Sequence, residues 1–176
     1  VKDAYKNALR DQSIGIYLIS IIESALRTGK RVRSETDISQ ESVSLSSLAI
    51  DIMLKAKQPV KESPILIVGT GKMCNLAAEY FIKSGYESII FFSNDPDKRK
   101  KLKLKYKTLV LPISHIPKRS KKNSIIFSAI SPDTFRISLE SLGKNRKTLS
   151  IIDLSIPKYI LRSNSDASCS YLLDMD

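Results

Sequence analysis

The sequence predicts an α/β fold, a doubly wound parallel sheet with helices on both faces, preceded by an all-helical segment. Three observations carry that expectation. From residue 59 onward, short and continuously apolar runs alternate with stretches of helical period, the pattern of βαβ units whose strands are buried on both faces. The first of these runs, PILIVG, stops at Gly69-Thr70-Gly71, and a helix-like pattern begins at once with Met73, Leu76, Ala77, Tyr80 and Phe81. Residues 1–58, by contrast, show helical periodicity alone. Right-handed crossovers then make the second part, residues 59–176, a Rossmann-type domain.

The elements follow in order. Ala4, Tyr5, Ala8 and Leu9 share one face of a short first helix. Ser13 is placed to cap a second, whose Ile14, Tyr17, Leu18, Ile21, Ile22, Ala25 and Leu26 form a wide apolar stripe. Gly29 stands where its C-cap belongs, with Arg27 near the terminal carbonyls. GKRVRSETDIS then reads as a polar connector, and Ser39 as the cap of a third helix carrying Val43, Leu45, Leu48, Ala49, Ile52 and Met53. Ser42, Ser44, Ser46 and Ser47 in that stretch are small enough to permit close packing against another element.

Beyond Pro59, strands are expected at PILIVG, Ser88–Ser93, Thr108–Pro112, Ser124–Ala129 and Leu149–Ser155, with a short sixth in the closing SYLLDMD. Helices are expected over Lys72–Ser84, closed by Gly85, from Asn94-Asp95-Pro96 onward, and over Ser131–Gly143.

Composition narrows the function classes. Hydrophobic content of 42% and charged content of 27% are globular values. No apolar run is long enough to span a bilayer and no signal peptide is visible, so a cytoplasmic protein without a membrane partner is expected. The first residue is Val, which reads as a fragment or a processed chain. Cys74 and Cys169 make neither a metal spacing nor a disulfide framework. A net charge of +11 is concentrated in Asp97–Lys107, Lys118–Lys122 and Lys144–Lys147. It suits a phosphate-bearing partner, RNA included. Yet only Tyr106 interleaves with the basic runs, where single-strand platforms use several aromatics, so the runs read first as solvated faces.

The chemistry concentrates at the Gly-x-Gly turn. A strand feeding a helix through such a turn holds a dinucleotide pyrophosphate: the first Gly makes the tight turn and the second admits the phosphates to the backbone. The helix N-terminus supplies free N–H groups and partial positive charge. The candidate contacts are Gly69, Thr70, Gly71, Lys72 and Met73, largely through backbone N–H groups, with Cys74 in the third small position where Gly or Ala is usual. A helix start lowers a thiol pKa in principle, but Cys74 reads as packing under the loop. After the second strand come Ser93, Asn94 and Asp95, and an acid there suits the ribose of NAD. Lys98 and Arg99 nearby either cover a 2′-phosphate instead or decorate the helix. Ser128, Ala129 and Ile130 end the fourth strand, where such folds approach the nicotinamide ribose. Asp153 and Pro157 likewise sit at the end of the fifth, with turn formation as the alternative role. His115, the sole histidine, lies in a Pro-bounded basic loop and is read as surface. No catalytic residue and no metal ligand is assigned.

Four stretches together resemble glutamyl-tRNA reductase. VKDAYKNAL is similar to the segment following that family's catalytic signature. ALRTGKRVRSETDIS with VSLSSLAIDI resembles its Gly-Lys-Arg-Val-Arg-Thr-Glu-Thr segment and Ser-rich helix. IVGTGKMCNLAA resembles its cofactor loop, and IIDLSIPKYI with YLLDMD resembles its Asp-Leu-Ala-Val-Pro-Arg-Asp and Tyr-Asp-Ile-Asp stretches. The order agrees along essentially the whole chain. The resemblance implies an NADPH-binding domain preceded by the tail of a catalytic domain, from an oxidoreductase that reduces tRNA-bound glutamate to glutamate-1-semialdehyde for tetrapyrrole (porphyrin) synthesis. It implies glutamyl-tRNA as partner of the full enzyme, and a homodimer formed through a C-terminal domain. It implies also that the nucleophilic Cys lies upstream and that the fragment alone is inactive. Two departures matter: Lys72 stands for the family's Glu, and Asp95 for the Arg that grips the 2′-phosphate. NADPH is therefore expected, with NADH as the alternative. The rivals are a shikimate-dehydrogenase-type oxidoreductase domain, which leaves GKRVRSET unexplained, and a cofactor-free Rossmann-like module binding RNA or protein.

Overall fold

The computed structural model describes residues 2–35, 44–131, 136–162 and 169–175. Its contacts divide it into two compact units, Val1–Ser42 and Val43–Asp176. In the first, α1 (Lys2–Arg10) and α2 (Ile16–Glu35) are joined by a Tyr5 hydroxyl that donates to Glu23 Oε1 at 3.1 Å. Ser13 does not cap α2. Its N–H and hydroxyl both go back to Ala8 O, at 3.0 and 3.4 Å, closing α1 instead. Nor does Gly29 end α2, which runs on to Glu35 through the residues expected to be a polar connector. An interior Gly costs a helix only about 1 kcal/mol, and the Arg31–Glu35 pair, one turn apart at 3.2 Å, fits the added turn. The apolar stripe of α2 is largely exposed, with Tyr17 at 84%.

The second unit begins with α3 (Leu45–Lys57), which packs with the sheet although the sequence grouped it with the leading helices. Ser44 caps it, accepting from Ser47 N at 3.1 Å; the expected cap, Ser39, lies outside the described residues. Ser46, Ala49, Ile50 and Met53 turn into the core.

The expected strands all form: β1 (Ile65–Val68), β2 (Ile89–Phe92), β3 (Leu109–Leu111), β4 (Ile125–Ser128), then β6 (Ser150–Asp153) and β8 (Tyr171–Asp174). They make one parallel sheet in the order β3-β2-β1-β4-β6-β8. The chain leaves β1 toward β2 and β3 on one side, then returns to place β4 on the other. The switch point thus lies between β1 and β4, where open sheets of this kind bind ligands beyond the strand ends.

All four β1 side chains are fully buried. Ile65 and Ile67 join one core with α3, α4 (Lys72–Lys83) and Leu102 of α5 (Pro96–Tyr106). Leu66 and Val68 join a second core with Ile116 of α6 (Ile116–Arg119), Leu139, Leu142 and Tyr159. A strand buried on both faces has no polar side to alternate with, which is why these runs read as unbroken apolar tetrads.

The second face departs from expectation. No helix fills the described part of Ser131–Gly143. Ile137–Ser138 is instead a short strand, β5, pairing with β7 (Ile160–Leu161), followed by a 3₁₀ turn over Leu139–Leu142. Residues 132–135 lie outside the described set. The loop before β4 is likewise ordered as a 3₁₀ turn, Ile113–His115, running into α6. Among the described residues no helix is long and apolar enough to cross a membrane.

Candidate functional site

A cleft of about 690 Å³ opens at the switch point, within the second unit. The exits of β1, β2, β4 and β6 wall it, through Gly69-Thr70-Gly71, Ser93-Asn94-Asp95, Ala129-Ile130-Ser131 and Leu154 with Ile156. Register explains why these segments converge: Val68 pairs with both Phe92 and Ser128, and Ser128 with Asp153, so four strands end at one level.

The Gly-x-Gly turn divides its labour. Gly69 has φ of +118°, and its N–H donates to Phe92 O at 3.0 Å. A Cβ there would come within 2.6 Å of Ile130 Cγ2 and 2.8 Å of Cys74 Sγ, so both backbone and space demand glycine. Gly71 is different. Its φ of −71° suits any residue, and a Cβ would meet nothing within 4 Å. It is the N-cap of α4, with no side chain capping the helix. The first-turn N–H groups of α4 are therefore left without a side-chain acceptor beside open space, an arrangement suited to an anion.

Cys74 is fully buried beneath the turn, its thiol directed to Val68 O at 3.3 Å and Ala129 O at 3.6 Å. Burial pushes its pKa up to about 12, so the lowering expected in principle from a helix start does not operate. Desolvation outweighs the dipole. Among the twelve residues singled out from sequence, Cys74, Lys72 and Ser128 do not wall the cleft; the other nine do. The Ser128 hydroxyl is turned away, donating to Asp153 Oδ1 at 2.7 Å.

At the β2 exit, Asp95 is occupied by its own helix. Its Oδ1 accepts from Asp97 N and Lys98 N, both at 3.0 Å, and its Oδ2 lies 3.4 Å from Lys98 Nζ. These partners, the Lys98 N–H foremost, hold its carboxyl below the ordinary value. Arg99 Nη1 donates to Ser93 O at 3.0 Å and Asn94 O at 3.2 Å, and Asn94 Oδ1 accepts from Ile113 N at 3.1 Å. Lys98 thus pairs with the capped carboxylate and lines the cleft, while Arg99 is engaged by backbone carbonyls.

The sequence did not point to Ile113, Leu154 or Ile156 as cleft residues. Ile113 and Ile156 each adjoin a proline just past a strand, a signal available but not used. His115 does not line the cleft; its Nδ1 is buried without a hydrogen-bond partner. No group of three or more metal-ligating side chains occurs among the described residues.

Comparison with known proteins adds to this geometry. A family model described as Shikimate / quinate 5-dehydrogenase matches residues 51–176. Proteins named glutamyl-tRNA reductase from Magnetococcus marinus and Geobacter metallireducens are 26% and 28% identical over 100% of this chain. The chain spans 43% and 42% of them, less than half the length of these curated relatives. The solved nucleotide binding domain of glutamyl-tRNA reductase from Thermoplasma volcanium is 26% identical, with a TM-score of 0.57, covering 76% of this chain and 86% of that one. Glutamyl-tRNA reductase from Methanopyrus kandleri, 19% identical, shares the fold over 98% of this chain and 44% of its own, at a TM-score of 0.58.

Proposed function

Since the chain belongs to the Shikimate / quinate 5-dehydrogenase family, we propose that its cleft binds a nicotinamide dinucleotide, NADPH, and that the chain is the nucleotide-binding portion of a glutamyl-tRNA reductase. The observation that carries the reading is the uncapped start of α4 at Gly71, set at the β1–β4 switch point with room for phosphates. The whole-chain likeness to glutamyl-tRNA reductases supports the substrate assignment. It includes the leading helices, which the family model leaves out.

The residues present fit such a cofactor. Backbone N–H groups of Thr70, Gly71, Lys72, Met73 and Cys74 would hold the pyrophosphate, with the helix dipole favouring its charge. The β2 exit would take the adenosine ribose. There Lys98 pairs with Asp95 at 3.4 Å across an exposed contact, and its ammonium, turned to a 2′-phosphate, would favour NADPH in spite of the acid. The β4 and β6 exits, Ala129, Ile130 and Leu154, would face the nicotinamide side. Bound there, the nicotinamide supplies hydride to an acyl group and the protein supplies position. Cys74 is too buried and too weakly acidic to carry that acyl group, so the nucleophile would come from chain that the longer relatives possess. Glutamate carried on tRNA would be the substrate of the whole enzyme, and tetrapyrrole synthesis its setting.

Fluorescence titration with NADPH and NADH tests the cofactor. Binding of neither at millimolar concentration would sink it. Lys98→Ala should narrow the preference for NADPH over NADH by about tenfold, the loss of one charge-assisted contact; an unchanged ratio would remove Lys98 from the 2′-phosphate. The family match keeps one other reading in view, a shikimate-type dehydrogenase. Shikimate-dependent reduction of NADP would establish it in place of the tRNA assignment.

A further inference from the structure

We infer that Asp153 is the positioning residue for the nicotinamide side of the cleft: its buried carboxylate ties the exits of β4 and β6 into one rigid wall. The inference rests on the nucleotide reading above. Asp153 is 1% exposed and accepts four hydrogen bonds, two on each oxygen. Oδ1 takes the Ser128 hydroxyl at 2.7 Å and Ser155 N at 3.1 Å; Oδ2 takes Tyr159 N at 2.8 Å and Ile160 N at 2.9 Å. The donors come from β4, from the segment directly after β6 and from the start of β7.

Those anchored segments carry the wall. Ser155, fixed through its N–H, uses its hydroxyl to accept Ile130 N at 3.2 Å. Leu154 N donates to Ser128 O at 2.8 Å. Ile130, held this way, reaches back to the Gly69 turn, leaving only glycine room there. Ile130, Leu154 and Ile156 all line the cleft, and none of them touches Asp153 through a side-chain hydrogen bond of its own. The carboxylate acts on the cleft through the backbone it holds.

The chemistry of the site calls for an anion. Four donors converge on two oxygens. An amide in place of the carboxylate would offer one acceptor oxygen and turn an NH₂ toward N–H groups, leaving buried donors unpaired. Burial of the charge is sustained by those same four donors. The Gly69–Gly71 turn keeps its own bond, from Gly69 N to Phe92 O at 3.0 Å, and Asp95 is held within α5, so loosening this wall should spare the phosphate and adenosine contacts.

The test compares two ligands that differ only at the nicotinamide end: NADPH and 2′-phospho-ADP-ribose, titrated calorimetrically into the chain and its variants. Asp153→Asn should weaken NADPH by about tenfold or more while changing 2′-phospho-ADP-ribose by less than about twofold. Ser155→Ala, which cuts the Ile130 tether and leaves the carboxylate in place, should weaken NADPH selectively by a smaller factor, and it serves if Asp153→Asn does not fold. Equal weakening of both ligands, in whichever variant folds, makes Asp153 a general stabiliser and overturns the inference. So does unchanged affinity for both. Wild-type chain that binds neither ligand contradicts the nucleotide reading itself, a distinct result.

Discussion

Replacing Gly71 by alanine separates nucleotide binding from folding, because the structure predicts opposite outcomes at the two glycines of the turn. At Gly71 the backbone is already that of an ordinary residue, φ −71° and ψ 177°, and the new methyl meets nothing within 4 Å. Alanine is a poorer N-cap than glycine by roughly 0.5–1 kcal/mol. It also restricts the unfolded chain, which returns about 0.4–1 kcal/mol. The two nearly cancel, so stability should stay within about 0.5 kcal/mol of wild type. The methyl would project where phosphates approach the start of α4, and NADPH affinity should fall about tenfold or more, some 1.4 kcal/mol. At Gly69 the same substitution combines a strained φ of +118° with approaches of 2.6 and 2.8 Å. The strain costs on the order of 1–3 kcal/mol and the overpacking a similar amount. Gly69→Ala should therefore lower the melting temperature by roughly 10 °C. Thermal melts and NADPH titration on the pair give the answer. Wild-type NADPH affinity in a stable Gly71→Ala protein would refute the assignment of this turn as the phosphate cradle.

Three further outcomes are expected. Cys74, with its thiol pKa raised to about 12 by burial, should resist Ellman's reagent near pH 8 in the folded protein and react once denaturant is added; prompt reaction of Cys74 in the native state would contradict its placement. Asp95 has its carboxyl held below the ordinary value by the N–H groups it caps. Its contribution is present above the unfolded pKa, near pH 4, and is lost as the pH falls through the lower folded value. Asp95→Asn, which keeps a capping oxygen that does not titrate, should show a shallower loss of melting temperature below about pH 4, and equal slopes would dissociate Asp95 from the acid limb. Ser44→Ala removes the cap of α3 and should cost about 1 kcal/mol in chemical denaturation; a variant as stable as wild type would mean that α3 does not depend on that bond.

The legibility of this chain in its sequence follows from which signals are local. The central strands were readable because they are buried on both faces, so four residues such as Ile65–Val68 must all be apolar whatever packs on them. The Gly69-Thr70-Gly71 turn was readable because positive φ and open space are properties of a few adjacent residues. Helix ends were less so: Ser13 and Gly29 have the right chemistry for caps, but α1 claimed the first and α2 ran past the second. The stretch after residue 135 carries helical period in Ile137, Leu139 and Leu142, yet those side chains serve a short strand and a 3₁₀ turn. Partners distant in sequence decided that, Ile160 by pairing and the second core by packing.

By itself, then, the sequence determined the six strands of the main sheet, helices α1 to α5 and the Gly-x-Gly turn, since these depend on neighbours within a few residues. Tertiary structure decided what the polar groups of the inner strands do. It drew Ser128 away from the cleft toward Asp153, whereas Asp95 is capped and paired by residues at most three positions further on. It turned Cys74 into an inert wedge between α4 and the sheet. A hydrogen bond or a desolvation penalty depends on what stands within about 3–4 Å, and for these residues those neighbours come largely from strands that only the folded sheet brings together.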